Sequence, residues 1–172
     1  MKTATTGTRV ALIAITMLFA LGSMAQAATQ SSTIRITLRK PVTLTLLRDL
    51  DCGRIIATGT AGMVTIDPDS GARSVSGGPV LAGGSPQTAR FRIVATPATL
   101  VLITRNALPV LARAGGGATM PVTLITMSGA VNPVTAPASG TFDVDIGGTL
   151  SVGVNQPDGA YSGTFQINAD YQ

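Results

Sequence analysis

From Tyr161 to the end of the chain, apolar and polar residues alternate without a break. The odd positions read Tyr161, Gly163, Phe165, Ile167, Ala169 and Tyr171; the even positions read Ser162, Thr164, Gln166, Asn168, Asp170 and Gln172. A helix repeats its apolar face every three or four residues, so a period of two over this length specifies a β-strand with one buried and one wet face. A chain end frays unless something holds it. An aromatic at the next-to-last position therefore predicts an end held in a sheet or by a partner.

The same period recurs through most of the chain. In Thr33–Arg39 the residues Ile34, Ile36 and Leu38 share one phase, and beyond Lys40-Pro41 the residues Val42, Leu44 and Leu46 keep it. This predicts one long extended segment, interrupted at the proline. Asp49–Gly53 reads as a turn into Ile55 and Ile56, and Val64 and Ile66 as the inward pair of the next strand. Asp67-Pro68-Asp69-Ser70-Gly71 is a tight turn by its chemistry. Gly77-Gly78-Pro79 and Gly83-Gly84-Ser85-Pro86 bracket a short exposed stretch. Ala89–Ala95 directs Phe91 and Ile93 inward, and Leu100–Ile103 is apolar on both faces, as a central or covered strand would be. Ala114–Ala118 is a flexible hairpin loop, Met120–Met127 a strand, and Val131–Ser139, with its prolines, a surface loop.

Phe142, Val144 and Ile146 then point in, opposite Asp143 and Asp145. Gly147-Gly148 is expected to turn the chain, Leu150, Val152 and Val154 form the next inward row, and Pro157-Asp158-Gly159 turns into the terminal strand. Strands roughly every eight to twelve residues, with no helical period, predict an all-β fold: an antiparallel β-sandwich of Ig-like general plan.

The first residues follow another logic. Lys2 and Arg9 flank a short polar start, Val10 to Leu21 is an apolar run, and Ala25-Gln26-Ala27 is a small-x-small cleavage site. This is a secretory signal pattern, and the run is too short for the roughly 20 residues that cross a bilayer. The expected organisation is a signal peptide over 1–27, an extended N-terminal segment over 28–48 and a sandwich domain over 49–172. The mature chain carries no further stretch apolar enough for a transmembrane anchor, which predicts an exported protein of the periplasm, cell surface or extracellular space. Removing Lys2 and Arg9 lowers the net charge from +4 by two, to +2. The remaining cations are scattered and not interleaved with aromatics, which argues against nucleic acid as a partner.

Missing residue types narrow the chemistry further. The chain has no His, Trp or Glu and one cysteine, Cys52. A Ser-His-Asp or Cys-His nucleophile is therefore unavailable, as are an imidazole metal site and an intramolecular disulfide. Cys52 reads as a small buried hydrophobe. Asp67–Gly71 lacks the terminal bidentate Glu of a calcium loop, and Ala114–Ala118 lacks the Lys-Ser/Thr ending of a phosphate loop. Asp143 and Asp145 share a strand face and form the sole candidate acid pair, which the wet face of an amphipathic strand explains more simply. No catalytic residue, metal or cofactor is expected.

Several of these pieces together resemble an exported bacterial family, domain of unknown function 4402. The matching residues are Leu50-Asp51-Cys52-Gly53, Gly62–Ile66, Ala89–Ile93, Met120-Pro121-Val122, Ile146–Leu150 and Gly159–Phe165, with Tyr171 closing the strand. Cys52 departs from the aromatic that the family often has there. The two ends also resemble those of chaperone–usher pilins, although the disulfide of many pilins is missing. That resemblance implies a strand-exchange donor made of Ile34, Ile36, Leu38, Val42 and Leu44. It implies a chaperone- or partner-pairing strand made of Phe165, Ile167, Ala169 and Tyr171. Self-assembly, or a periplasmic chaperone and usher, would be the partners. The expected function is that of a non-enzymatic structural or adhesive protein, such as a fimbrial or surface-layer subunit. The alternative is a self-contained binding module for a surface polysaccharide or protein.

Overall fold

The computed structural model describes residues 33–129 and 132–172, so the signal sequence expected over 1–27 lies outside them. The chain divides into two units, Met1–Thr37 and Leu38–Gln172. In the first unit Thr33–Thr37 is described and has no regular secondary structure. In the second, the described residues form β1 (Thr43–Arg48), β2 (Ile55–Ile56), β3 (Gly62–Ile66), β4 (Arg73–Gly77), β5 (Val80–Leu81), β6 (Ala89–Val94) and β7 (Leu100–Arg105). There follow β8 (Val110–Arg113), β9 (Thr119–Met127), β10 (Val134–Thr135), β11 (Thr141–Val152), β12 (Tyr161–Ser162) and β13 (Ile167–Tyr171), with no helix.

Every pairing is antiparallel. The large sheet has the order β1-β6-β11-β9-β8-β12, with β3 added to β11 and β4 to β3; a small sheet has the order β10-β7-β13, and β2 pairs with β5. One core lies between the two sheets. Ile93, Val144, Ile146 and Val64 from the large sheet meet Val101, Ile103 and Ile167 from the small one. These are the alternate positions that the period-two pattern marks, so this is the all-β antiparallel sandwich that the sequence predicts.

The chain departs from the expected layout at β1. Thr43–Arg48, placed by sequence in the N-terminal extension, is an edge strand of the large sheet, in register with β6 from Thr43↔Val94 to Leu46↔Phe91. Val42 and Leu44 pack against the core. The domain therefore takes in part of the segment drawn as 28–48. Val154, expected to continue the inward row, is exposed, because β11 ends at Val152 and the chain turns away.

Gly147-Gly148 does not turn the chain. Both glycines lie inside β11, which pairs with β6 up to Ile146 and with β3 from Gly148 along the same edge, while β9 occupies the other edge. Neither has the left-handed backbone of a turn glycine. They are needed because neighbouring backbone comes too close for a side chain: a Cβ on Gly147 would collide with Ile66 O and Pro68, and one on Gly148 would lie 2.9 Å from Leu124 O.

The terminal run is also two strands rather than one. Tyr161 and Ser162 pair with β8 in the large sheet, whereas Ile167–Tyr171 pairs with β7 in the small sheet. Gly163–Gln166 crosses between them without ladder structure. The alternation survives because Tyr161, Phe165, Ile167, Ala169 and Tyr171 all face one core on both sides of the crossing.

Gly147→Ala is expected to lower stability by about 2–3 kcal/mol, the cost of forcing atoms into a packed interior. A fall in the urea midpoint with an unchanged denaturant slope would show it; a midpoint equal to that of the native chain would refute the close-approach role.

Candidate functional site

The edges of the two sheets meet along one side of the sandwich, where β1 approaches β13. On β13 the bonds Asn106 N–H to Gln166 O and Leu100 O to Gln172 N–H, each 3.1 Å, fix which residues face β7. In an antiparallel ladder those residues alternate, so the even residues bond β7 and the N–H and C=O groups of Ile167, Ala169 and Tyr171 point outward. The same reasoning holds on β1. Ala95 N–H donates to Gly140 O at 2.8 Å, so the odd residues of β6 face β11 and its even residues face β1. Thr43 and Thr45 therefore bond β6, and the backbone of Leu44 and Leu46 points away from it. Among the described residues these outward groups have no hydrogen-bond partner.

One end of this seam is pinned. The Tyr171 hydroxyl donates to Lys40 O at 2.6 Å and accepts from Thr96 N–H at 2.8 Å, and Lys40 N–H donates to Thr96 Oγ1 at 3.1 Å. The Arg39 guanidinium sits over the Tyr171 ring, 5.5 Å from its centroid. The phenol thus ties the last strand to the point where the N-terminal segment enters the domain.

The other end opens into a cavity of about 1060 Å³. Its floor is the inner face of the large sheet, with Ala89 and Phe91 from β6, Leu111 from β8, Met120 and Val122 from β9, and Leu150 from β11. The small sheet does not cover this part; the cavity is bounded instead by segments 49–57 and 156–165. Leu46, Phe91 and Phe165 connect it to the seam, the two rings meeting edge to face at 6.3 Å. Protein interiors are packed to crystal density, so an opening of this size is a surface recess rather than a packing flaw of the core. Cys52 is half-buried in its wall, and burial pushes the thiol up to about 11, with Asp51 adding to the shift and Arg73 opposing it.

The acid pair on β11 has a different surrounding. Asp143 faces Arg92 across the ladder and accepts from its Nε and Nη2 at 2.8 and 2.9 Å. Asp145 accepts from Arg90 at 2.9 and 2.7 Å, from Thr88 at 3.0 Å and from Arg48 at 3.3 Å. These hydrogen bonds, led by Arg92 and Arg90 respectively, hold both carboxyls below the usual range. Each is a fixed anion in a forked ion pair, not a carboxyl poised to move protons. At Asp67–Gly71 the Asp67 carboxylate accepts from Asp69 N–H, Ser70 N–H and the Ser70 hydroxyl, so its oxygen serves the turn itself.

The residues singled out from sequence thus fall into separate places. Ile34, Ile36 and Leu38 are 90, 80 and 85% exposed. Leu44 lies in β1 and Val42 just before it, both packed against the core, and Phe165, Ile167, Ala169 and Tyr171 pack into the same core from the β13 side. The cavity wall is not legible in the sequence, because Leu46, Phe91, Leu111, Met120 and Val122 come from four strands and each reads alone as ordinary core.

In class, the chain is an antiparallel sandwich in which the edge strands β1 and β13 meet beside an apolar cavity. The family model described as Domain of unknown function (DUF4402) matches residues 42–171, and the chain belongs to that family. The match starts one residue before β1 and ends on Tyr171, which leaves Ile34, Ile36 and Leu38 outside it. No curated protein and no solved structure matches the chain.

Tyr171→Phe removes two hydrogen bonds, to Lys40 O and from Thr96 N–H; a loss of about 1–3 kcal/mol is expected, at about 0.5–1.5 kcal/mol per bond, read as a lower urea midpoint, and no change would mean that the phenol does not hold the seam. The carboxyls of Asp143 and Asp145, lowered on folding, contribute stability that is present above their unfolded pKa of about 4 and is lost as pH falls through the folded values. Thermal midpoints should therefore hold near neutral pH and drop below about pH 4, with a shallower drop in Asp145→Asn. An acid limb of equal steepness in that variant would contradict the ion-pair assignment.

Proposed function

We propose that this protein is an exported, non-enzymatic structural subunit that associates by strand addition, Ile34, Ile36 and Leu38 of one copy serving a second copy. The carrying observation is the exposure of three apolar side chains in strand phase, in a segment with no strand of its own. The free backbone edges of β1 and β13 are the complementary half, since an added strand gains ladder hydrogen bonds from an edge and specificity from alternate side chains. Burying three such side chains is worth about 5–9 kcal/mol, against an association cost of about 4–15 kcal/mol. The ladder bonds, about 0.5–1.5 kcal/mol each, decide whether the complex is stable.

The arginine-held carboxylates on β11 favour a non-enzymatic role. A polysaccharide module gains less support, because Phe142 and Tyr171 pack against the core and Phe91, Tyr161 and Phe165, which line the cavity, are half-buried rather than offered on the surface as a stacking platform. An exported chain with such a segment would need an escort, and a periplasmic chaperone and usher of the pilin kind would supply one.

The test removes residues 28–38 and keeps Lys40, so that the contact with Tyr171 remains. The full mature chain should run as a ladder on an unboiled denaturing gel and collapse on boiling, while the shortened chain stays folded and monomeric. A lone monomer band for the full chain, expressed with its export partners, would overturn strand addition.

A further inference from the structure

Strand addition uses the sheet edges and leaves the recess between segments 49–57 and 156–165 without a role. We infer that this recess binds an uncharged lipophilic alcohol, its alkyl chain lying along the floor and its hydroxyl meeting Tyr161 and Gln156. The inference goes beyond strand addition and concerns the single chain.

Three observations carry it. The first is shape and chemistry. At about 1060 Å³ the recess stands at the upper limit of the roughly 300–1,000 Å³ usual for small-molecule sites. Phe91, Leu111, Met120, Val122 and Leu150 make its floor aliphatic and aromatic. That floor crosses four neighbouring strands, β6, β11, β9 and β8. Three spacings of about 4.8 Å separate the outer two, which is far enough in one direction to seat an extended chain.

The second is charge balance. Asp49, Asp51 and Asp158 lie on the wall together with Arg54. Two further guanidiniums bond the same wall: Arg73 donates to Cys52 O and Arg54 O at 2.7 and 3.1 Å, and Arg113 Nε donates to Asp158 O at 2.6 Å. Three cations thus offset three carboxylates, and burial keeps the Cys52 thiol neutral by pushing its pKa up to about 11. An ionised ligand head gains no net attraction from such a wall and loses its own water.

The third is hydrogen-bonding capacity. Besides Cys52, the half-buried polar side chains of the lining are Gln156 and Tyr161. Gln156 Nε2 spends both protons, on Thr119 O and on the Tyr161 hydroxyl, and Tyr161 spends its own on Pro157 O. Gln156 Oε1 accepts from Gly153 N–H. What remains is one lone pair on each of the two side-chain oxygens, so both can only accept. A ligand hydroxyl can donate to them; an ester, an ether or a carboxylate cannot.

The full mature chain, dispersed as monomer, is titrated with straight-chain alcohols from hexanol to hexadecanol by displacement of a neutral fluorescent probe, N-phenylnaphthylamine. Affinity should rise about fourfold per methylene and stop rising once the chain outgrows the floor. The alcohol should bind about tenfold tighter than the methyl ether or the carboxylate of equal chain length. Tyr161→Phe should narrow the alcohol-to-ether ratio and leave the rise per methylene in place. Cys52, the sole cysteine, lies in the wall and reports occupancy on the native chain. With saturating alcohol its labelling by a small methanethiosulfonate reagent should slow markedly. No displacement at any chain length, or an unchanged Cys52 rate at saturation, would overturn the site. A carboxylate or ether that binds as tightly as the alcohol would overturn the ligand class.

Discussion

The long strand β11 is the piece on which the rest depends, because its backbone serves three neighbours. Along one edge it bonds β6 and then β3, and along the other it bonds β9. Two strands can share an edge end to end only if the chain entering and leaving between them passes very close. Ile66 O and Pro68 fill the space where a side chain at position 147 would stand. With β11 saturated, β1 is left at one end of the large sheet and β12 at the other.

An eight-stranded sheet has more inner face than a three-stranded one can cover. The small sheet seals the region around Ile93, Val144, Val101 and Ile103, all buried. Over Phe91, Leu111, Met120 and Val122 the covering is irregular chain, and the cavity is the consequence. Exposed strand edges are usually blunted against pairing with other chains. Here the seam between β1 and β13 is closed at the Tyr171 end and open at the Phe165 end. The exposed apolar side chains of Ile34, Ile36 and Leu38 lie just ahead of β1 in the sequence.

Much of the sandwich was legible from alternation. Val64 and Ile66, Ile93, Val144 and Ile146, and Ile167 all fall on the predicted inward phase and are buried. The turn at Asp67–Gly71 and the hairpin loop through Gly115, Gly116 and Gly117, all with positive φ, follow from local residue chemistry. The misread places share one cause, that local sequence does not say what lies across the gap. Gly147-Gly148 has the composition of a turn, but its glycines answer to neighbouring backbone rather than to a bend. The crossing at Gly163–Gln166 keeps the strand pattern because both sheets face the same core. Thr43–Arg48 continues the phase of Ile34–Leu38, so nothing local marks where the domain begins. On the site side, Phe165, Ile167, Ala169 and Tyr171 were legible as an inward row and do pack into the core, whereas the cavity could not be read because four strands build its floor.

Site-resolved hydrogen exchange on the outward amides of β13, Ile167 and Ala169, tests strand addition at its physical root. Once chains associate, both amides should become protected together with those of residues 34–38, and both should exchange freely in the chain lacking residues 28–38. Equal exchange in the two forms, or full protection already present in the shortened monomer, would mean that the edge is complete by itself and receives no strand from another copy.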